Sequence, residues 1–169
     1  MRSSIPFTIA AVVRHAGLAI TVLRGHEVIE INKTRITSSE KLGRVVAKYI
    51  NEAADDYEAE KIIVERNSSV HRILRKRCCS GERLFTVDPR DIKRLALRDE
   101  PCATNRALLA RLIRRYPKLA RFVAVHRDTG ELGWNDPRRT AALLAVALGF
   151  AAQNVTQNVA DHGDSNIHS

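Results

Sequence analysis

Lys61-Ile-Ile-Val-Glu65 is a short apolar run that ends in a carboxylate. Its length and composition fit a strand buried on both faces, and the C-terminal tip of such a strand is where open α/β sheets gather their functional groups. Glu65 is therefore the first residue in the chain with a place to do chemistry. Soon after it come His71, Arg72, Arg75, Lys76 and Arg77. On a helix, their spacing puts His71 with Arg75, and Arg72 with Lys76, on shared stripes. A cluster of this kind suits phosphate contact; the competing reading is an ordinary solvated face. Other chemistries have little to stand on. There is no phosphate-cradling glycine loop and no serine elbow, and the six histidines are scattered, with His162 and His168 near the C-terminus. Cys78, Cys79 and Cys102 match neither a disulfide framework nor a zinc-ligand spacing, so they read as reduced intracellular thiols.

Charge narrows the field further. The 169 residues carry a formal net charge of +9, and from Arg66 to Arg139 there are nineteen Lys or Arg against eight Asp or Glu. That stretch alone is more positive than the whole chain, and a basic surface of this size attracts polyanions, nucleic acid first among them. Arginine kept for solubility, or drawn from a GC-rich genome, is the bland alternative. With only 5% aromatic residues, a single-strand binder that works by base stacking is disfavoured, and Trp134 and Phe122 read as core or loop anchors. The 44% hydrophobic and 28% charged content is that of a globular chain, long enough for one core. We expect a single domain over residues 1–153 and a disordered polar tail over 154–169. No run approaches the length of a membrane span, and the N-terminus lacks a sustained apolar region followed by a cleavage signal, so the expected compartment is the cytoplasm and no membrane partner is expected.

The elements that must position Glu65 and the basic cluster follow from the pattern. Phe7 to Arg14 is β-branched and apolar, Leu18 to Arg24 follows a turn at His15-Ala-Gly17, and Val28, Ile29, Ile31 and Ile36 suggest a third strand, giving an antiparallel meander. Thr37-Ser-Ser-Glu40 has the form of a capping box before an amphipathic helix running to about Asp56. After the strand ending at Glu65, Ser68 or Ser69 caps a basic helix to about Cys79, and Arg83 to Val87 supplies a fifth strand closed by Asp88-Pro89. Asp91 to Leu97 reads as a short helix, and Thr104 caps another that Pro117 ends. Arg121 to Trp134 fits a hairpin or an ordered loop. Asn135-Asp-Pro137 opens a final helix that runs apolar through Ala152. The fold class is α/β: a mixed five-stranded sheet of the RNase H-like kind, a meander followed by two parallel strands, with helices on both faces.

At Ile62-Ile-Val-Glu-Arg66, Val87-Asp-Pro-Arg-Asp-Ile-Lys-Arg94, Ala103-Thr-Asn-Arg-Ala-Leu-Leu109 and Leu144-Ala-Val-Ala-Leu148 the chain resembles the RuvC-like Holliday-junction resolvases of the RNase H-like superfamily. The likeness covers about Phe7 to Ala152. It implies two divalent metals held by four carboxylates: one on the first strand, one ending the fourth, and two a turn apart on the last helix. Glu65 matches the fourth-strand position. On the first strand the expected Asp falls among Ala10, Ala11 and Val12, and on the last helix the two acidic positions fall at Arg139 and Ala142. Asp136 is a possible displaced ligand, although a residue before Pro at a helix start is usually a cap. Asp88 is a second possible carboxylate near Glu65, although Asp-Pro is common turn chemistry. The expectation is that Glu65, vestigial or surviving, pairs with Arg66, Arg139 or another arginine that fills the former metal pocket.

The family's substrate-facing basic residues fit more loosely. Lys93 takes the place of the family's lysine after the fifth strand, and Asn105 replaces a lysine at the start of the next helix with Arg106 beside it. With Arg66, His71, Arg72, Arg75, Lys76, Arg77, Arg94, Arg138 and Arg139, Lys93 and Arg106 form the expected nucleic-acid-binding set. The resulting expectation is a catalytically degenerate binder of branched or duplex DNA that uses phosphate contacts, needs no cofactor or metal, and is compatible with a homodimer. A Mg²⁺- or Mn²⁺-dependent endonuclease rebuilt from Glu65, Asp88 and Asp136 is the second reading. A protein-interaction module that uses the basic face is the third.

Overall fold

The computed structural model describes residues 5–14, 17–36, 42–77, 83–122, 124–125, 132–133 and 137–163, with side chains described up to residue 122 and over 140–156. Strands β1 (Phe7–Arg14), β2 (Gly17–Arg24) and β3 (Glu27–Arg35) form the meander. Helix α1 (Leu42–Asp56) leads into β4 (Lys61–Glu65), which pairs in parallel with β1, and after α2 (Ser69–Arg77) strand β5 (Leu84–Val87) pairs in parallel with β4. The sheet order is β3-β2-β1-β4-β5, the mixed five-stranded α/β arrangement that the sequence pattern implies. Helices α3 (Pro89–Leu95) and α4 (Asn105–Arg115), a 3-10 segment (Pro117–Phe122) and α5 (Pro137–Gly163) complete the chain. Within Arg121 to Trp134, β6 (Ala124–Val125) and β7 (Leu132–Gly133) pair antiparallel, so the hairpin alternative is the one adopted. The Thr37–Glu40 capping box and Cys78 and Cys79 lie outside the described residues.

Why β1 reads as a continuous apolar run is now clear. Ala10 and Val12 point into a core shared with α3, α4 and α5, whereas Ile9 and Ala11 point into a second core shared with α1 and α2. Alternate side chains meet different helices, and neither face meets water. Helix α5 is the other central element. From Ala141 to Ala151 every residue whose exposure is recorded is buried, because the sheet covers one side of the helix while α3, α4 and the 3-10 segment cover the others. Its small residues allow a close approach to the strands. At Gly149 a β-carbon would stand 2.0 Å from the Leu23 Cδ1 and 3.4 Å from the Ala10 Cβ.

Two boundaries differ from the sequence expectation. Helix α3 starts at Pro89 and not at Asp91, because Asp88 is its N-cap: the Oδ1 accepts from the Arg90 N–H at 2.9 Å, and Pro89 fills the first position, where no amide donor is needed. Helix α5 runs on to Gly163, so residues 154–163 are helical where a disordered tail is expected. The polarity of Asn154 is misleading in sequence. Its side chain is buried, its amide donates to the Leu95 carbonyl at 2.6 Å, and its Oδ1 faces the His26 Nε2 at 3.2 Å. A satisfied amide here ties the β2–β3 turn and the end of α3 to the second half of α5.

Gly149→Ala should lower stability by about 1–3 kcal/mol through overpacking against Leu23. That would outweigh the roughly 1 kcal/mol that alanine ordinarily gains over glycine inside a helix. Urea unfolding measures it, and a stabilised variant would show that α5 does not need this close approach.

Candidate nucleic-acid interface

Parallel pairing brings the ends of β1 and β4 together. Ala11 is in register with Val64, so the next residues along, Val12 and Glu65, stand side by side on the face that meets α5. Two residues beyond Val12, on the same face, is Arg14. Its Nη2 donates to the Glu65 Oε2 at 2.7 Å, and its Nη1 donates to the Val13 carbonyl at 3.0 Å. The Glu65 side chain is only 16% exposed and that of Arg14 34%, so the pair is partly withdrawn from solvent screening. Together with Val12, Lys93, Asn105 and Leu144 they line a small pocket of about 80 Å³ at the strand tips.

The expected arginine beside Glu65 is thus present, but it is Arg14 from the first strand. Neither Arg66 nor Arg139 fills that place among the described contacts, and the side chain of Arg139 lies outside the described residues. Period-two alternation from Val12 was the signal that could have found Arg14, since it puts both on one face next to the fourth strand. Ala142 is fully buried in the core, and among the described residues of α5 it is Leu144 that lines the pocket.

Of the other acidic candidates, Asp88 is engaged as the α3 cap and Asp136 lies outside the described residues. Among the described residues no three His, Cys, Asp or Glu side chains come together as a cation seat. Mg²⁺ needs several oxygen ligands in octahedral array. Among the described residues that line this pocket there is one carboxylate, Glu65, already bound by a guanidinium and set beside the apolar Val12 and Leu144.

Basic residues divide into two sets. On the far side of α4, cations are spent on neighbouring acids: Arg115 bonds Asp99 at 2.5 Å, and Arg114 and Arg111 approach Glu100 at 3.2 and 3.9 Å. Arg94, one of the expected nucleic-acid ligands, is likewise held by Asp91 at 2.8 Å. By contrast, Arg66, Arg72, Arg75, Lys76, Arg77, Lys93 and Arg106 form no ion pair with the described residues. Those on α2 lie on one face of the sheet, where Val70 and Leu74 anchor the helix, and Lys93 and Arg106 lie on the other. Unpaired cations therefore flank the β1 and β4 tips from both sides. The backbones of Arg138 and Arg139 lie in the first turn of α5, and their side chains are outside the described residues.

His71 has a structural task as well. Ser68 caps α2 by accepting from the His71 N–H at 3.1 Å, and the His71 Nδ1 accepts from the Asn67 N–H at 3.1 Å, with Asn67 in the left-handed region at φ 61°. Burial, then the charges of Arg75 and Arg66, push the His71 pKa below its ordinary value. Its neutral form is the one the turn uses.

No family model and no curated relative matches the sequence. Solved structures do. The Thermus thermophilus RuvC structure superposes with a TM-score of 0.56 at 11% identity, over 87% of this chain and 95% of that one. A second, T. thermophilus RuvC in complex with Holliday junction substrate, gives 0.54 at 12% identity, over 89% and 97%. At that identity the likeness is one of fold: this chain has the RuvC type of RNase H-like fold.

Proposed function

We propose that this protein binds nucleic acid, with branched or duplex DNA favoured, through phosphate contacts made at the β1 and β4 tips, and that it does so without metal-dependent cleavage. The observation that carries the reading is the Arg14–Glu65 ion pair inside the tip pocket. A guanidinium there supplies fixed positive charge where metal-dependent phosphodiester cleavage would need divalent cations. Support for binding comes from Lys93 and Asn105 in the same pocket and from the unpaired cations on both sides of it. A RuvC of the same fold has been seen with a Holliday junction substrate, which favours DNA among the polyanions. Contacts to phosphate carry no sequence information, so the expected recognition is of shape and charge.

Affinity for duplex and junction DNA should fall steeply with salt and stay unchanged when EDTA replaces Mg²⁺. Because each phosphate contact contributes close to one to the slope of log K against log salt, Arg75→Gln with Lys76→Gln should lower that slope by about 2. Negligible affinity for duplex, junction and RNA at low salt would sink the proposal. Mn²⁺-dependent cleavage that disappears in Glu65→Ala would instead establish the endonuclease reading.

A pH effect follows from His71. Phosphates seated on Arg66 and Arg75 would offset the two charges that now disfavour its imidazolium, so binding should raise its pKa. The complex then takes up protons more readily than the free protein, and affinity should strengthen as pH falls through the His71 titration. An NMR titration of the His71 ring with and without duplex checks this; a pKa unmoved by DNA would place the phosphates elsewhere.

A further inference from the structure

Away from the tip pocket, the sheet has a second open surface. Helix α5 covers β1 and β2, and on the same face Ile63 of β4 and Val87 of β5 are buried while Phe85 of β5 stands exposed. The result is a groove of about 1000 Å³ between the second half of α5 and the β5 edge of the sheet, floored by Ile63, Phe85 and Val87 and walled by Ala152, Val155 and Ile5. Phe85 is 43% exposed and Ile5 60%, the two most exposed large hydrophobic side chains among the described residues. Apolar concavities of this size bury ligands or partner side chains.

Charge around the groove is one-sided once internal pairing is taken into account. Of the three carboxylates among its described lining residues, Glu27 is paired with Arg24 and Asp91 with Arg94, while Asp88 accepts from the Arg90 amide. Lys61 and Arg66 have no carboxylate partner among the described residues, and the Lys61 Nζ lies over the Phe85 ring at 5.3 Å. An apolar floor with two unanswered cations on its margin complements a segment that is apolar on one side and acidic on the other. Nucleic acid would meet the cations but would leave the apolar floor unmatched.

We propose that this groove is a docking site for an acidic amphipathic helix of a partner protein, which lies alongside α5 over β4 and β5. Such a helix completes the layer that α5 begins, with aliphatic side chains on Phe85 and Val155 and carboxylates on Lys61 and Arg66. Arg66 stands at the margin of both this groove and the proposed nucleic-acid surface, so the test relies on Phe85 and Lys61, which belong to the groove and not to the tip pocket.

The test uses the full chain and a fluorescent ~16-residue peptide with leucine along one helical face and glutamate on the other. A scrambled peptide of identical composition serves as the control. Saturable binding about tenfold tighter than the scramble, weakened about tenfold by Phe85→Ser and by Lys61→Glu, with peptide-induced shifts at Val155 and Ile63, is the expected result. Duplex affinity of Phe85→Ser should remain within about twofold of the unaltered chain, which also reports that the variant is folded. Equal affinity for the scramble, or binding unmoved by both substitutions, overturns the proposal. So does a concentration-dependent dimer lost in Phe85→Ser, which would make a second copy the occupant, or a large loss of DNA affinity in that variant, which would make the groove part of the nucleic-acid surface. Peptide binding that appears only after deletion of residues 1–4 or 164–169 would assign the groove to the chain's own ends, and also overturns it.

Discussion

Where α5 presses into the sheet, the chain has little freedom to be anything else. An unbroken buried stretch from Ala141 to Ala151 leaves no polar side chain along that length of the helix, and a glycine at 149 lets its backbone approach Leu23 and Ala10. That contact fixes the distance between helix and strands, and with it the position of Leu144 over the tips of β1 and β4. Hydrophobic burial is not directional, but close packing is, and here it aligns one end of the helix with the only half-buried ion pair at the strand tips among the described residues. The site is downstream of the packing.

At those tips, neighbouring strands of one sheet supply opposite charges on the same face, Arg14 two residues beyond the level of Glu65. Arg14 is held twice, by the Glu65 carboxylate and by the Val13 carbonyl next to it in sequence, so its charge is fixed in place. Lys93 and Asn105 enter from the helices that follow β5. Within this pocket the Arg14 and Glu65 charges offset each other, and Lys93 supplies the cation without an ion-pair partner among the described residues. On the outer helices, by contrast, arginine is largely neutralised by Asp91, Asp99 and Glu100. The chain's net charge of +9 is therefore spread less evenly than its composition suggests.

Much of the architecture was legible in the sequence because it rests on local rules. Lys61–Glu65 is the strand that its apolar run implied, Thr104 caps α4 through the Ala107 N–H, and the meander follows its turns. The failures came where tertiary context overrides composition. Asn154 looks like tail chemistry until a buried carbonyl and a histidine from another turn are brought to it. Arg14 looks like the solvated end of a strand, and only the parallel pairing of β1 with β4, fifty-one residues away in sequence, gives it Glu65. Asp88 was legible as turn chemistry, and its cap geometry bears that out. The exposure of Phe85 at the β5 edge has no sequence signature, since a short apolar strand looks the same whether or not it is roofed on both sides.

The Arg14–Glu65 pair also bears on how such a chain can change over evolutionary time. Loss of Arg14 alone would leave Glu65 half-buried without a counter-charge. An acid introduced at Val12 alone would meet a guanidinium already in place. Each single step therefore falls short of a seat for cations, and only concerted replacement would reach one. A change at either strand tip is therefore constrained by the charge on the other, and the two positions are coupled through this one contact.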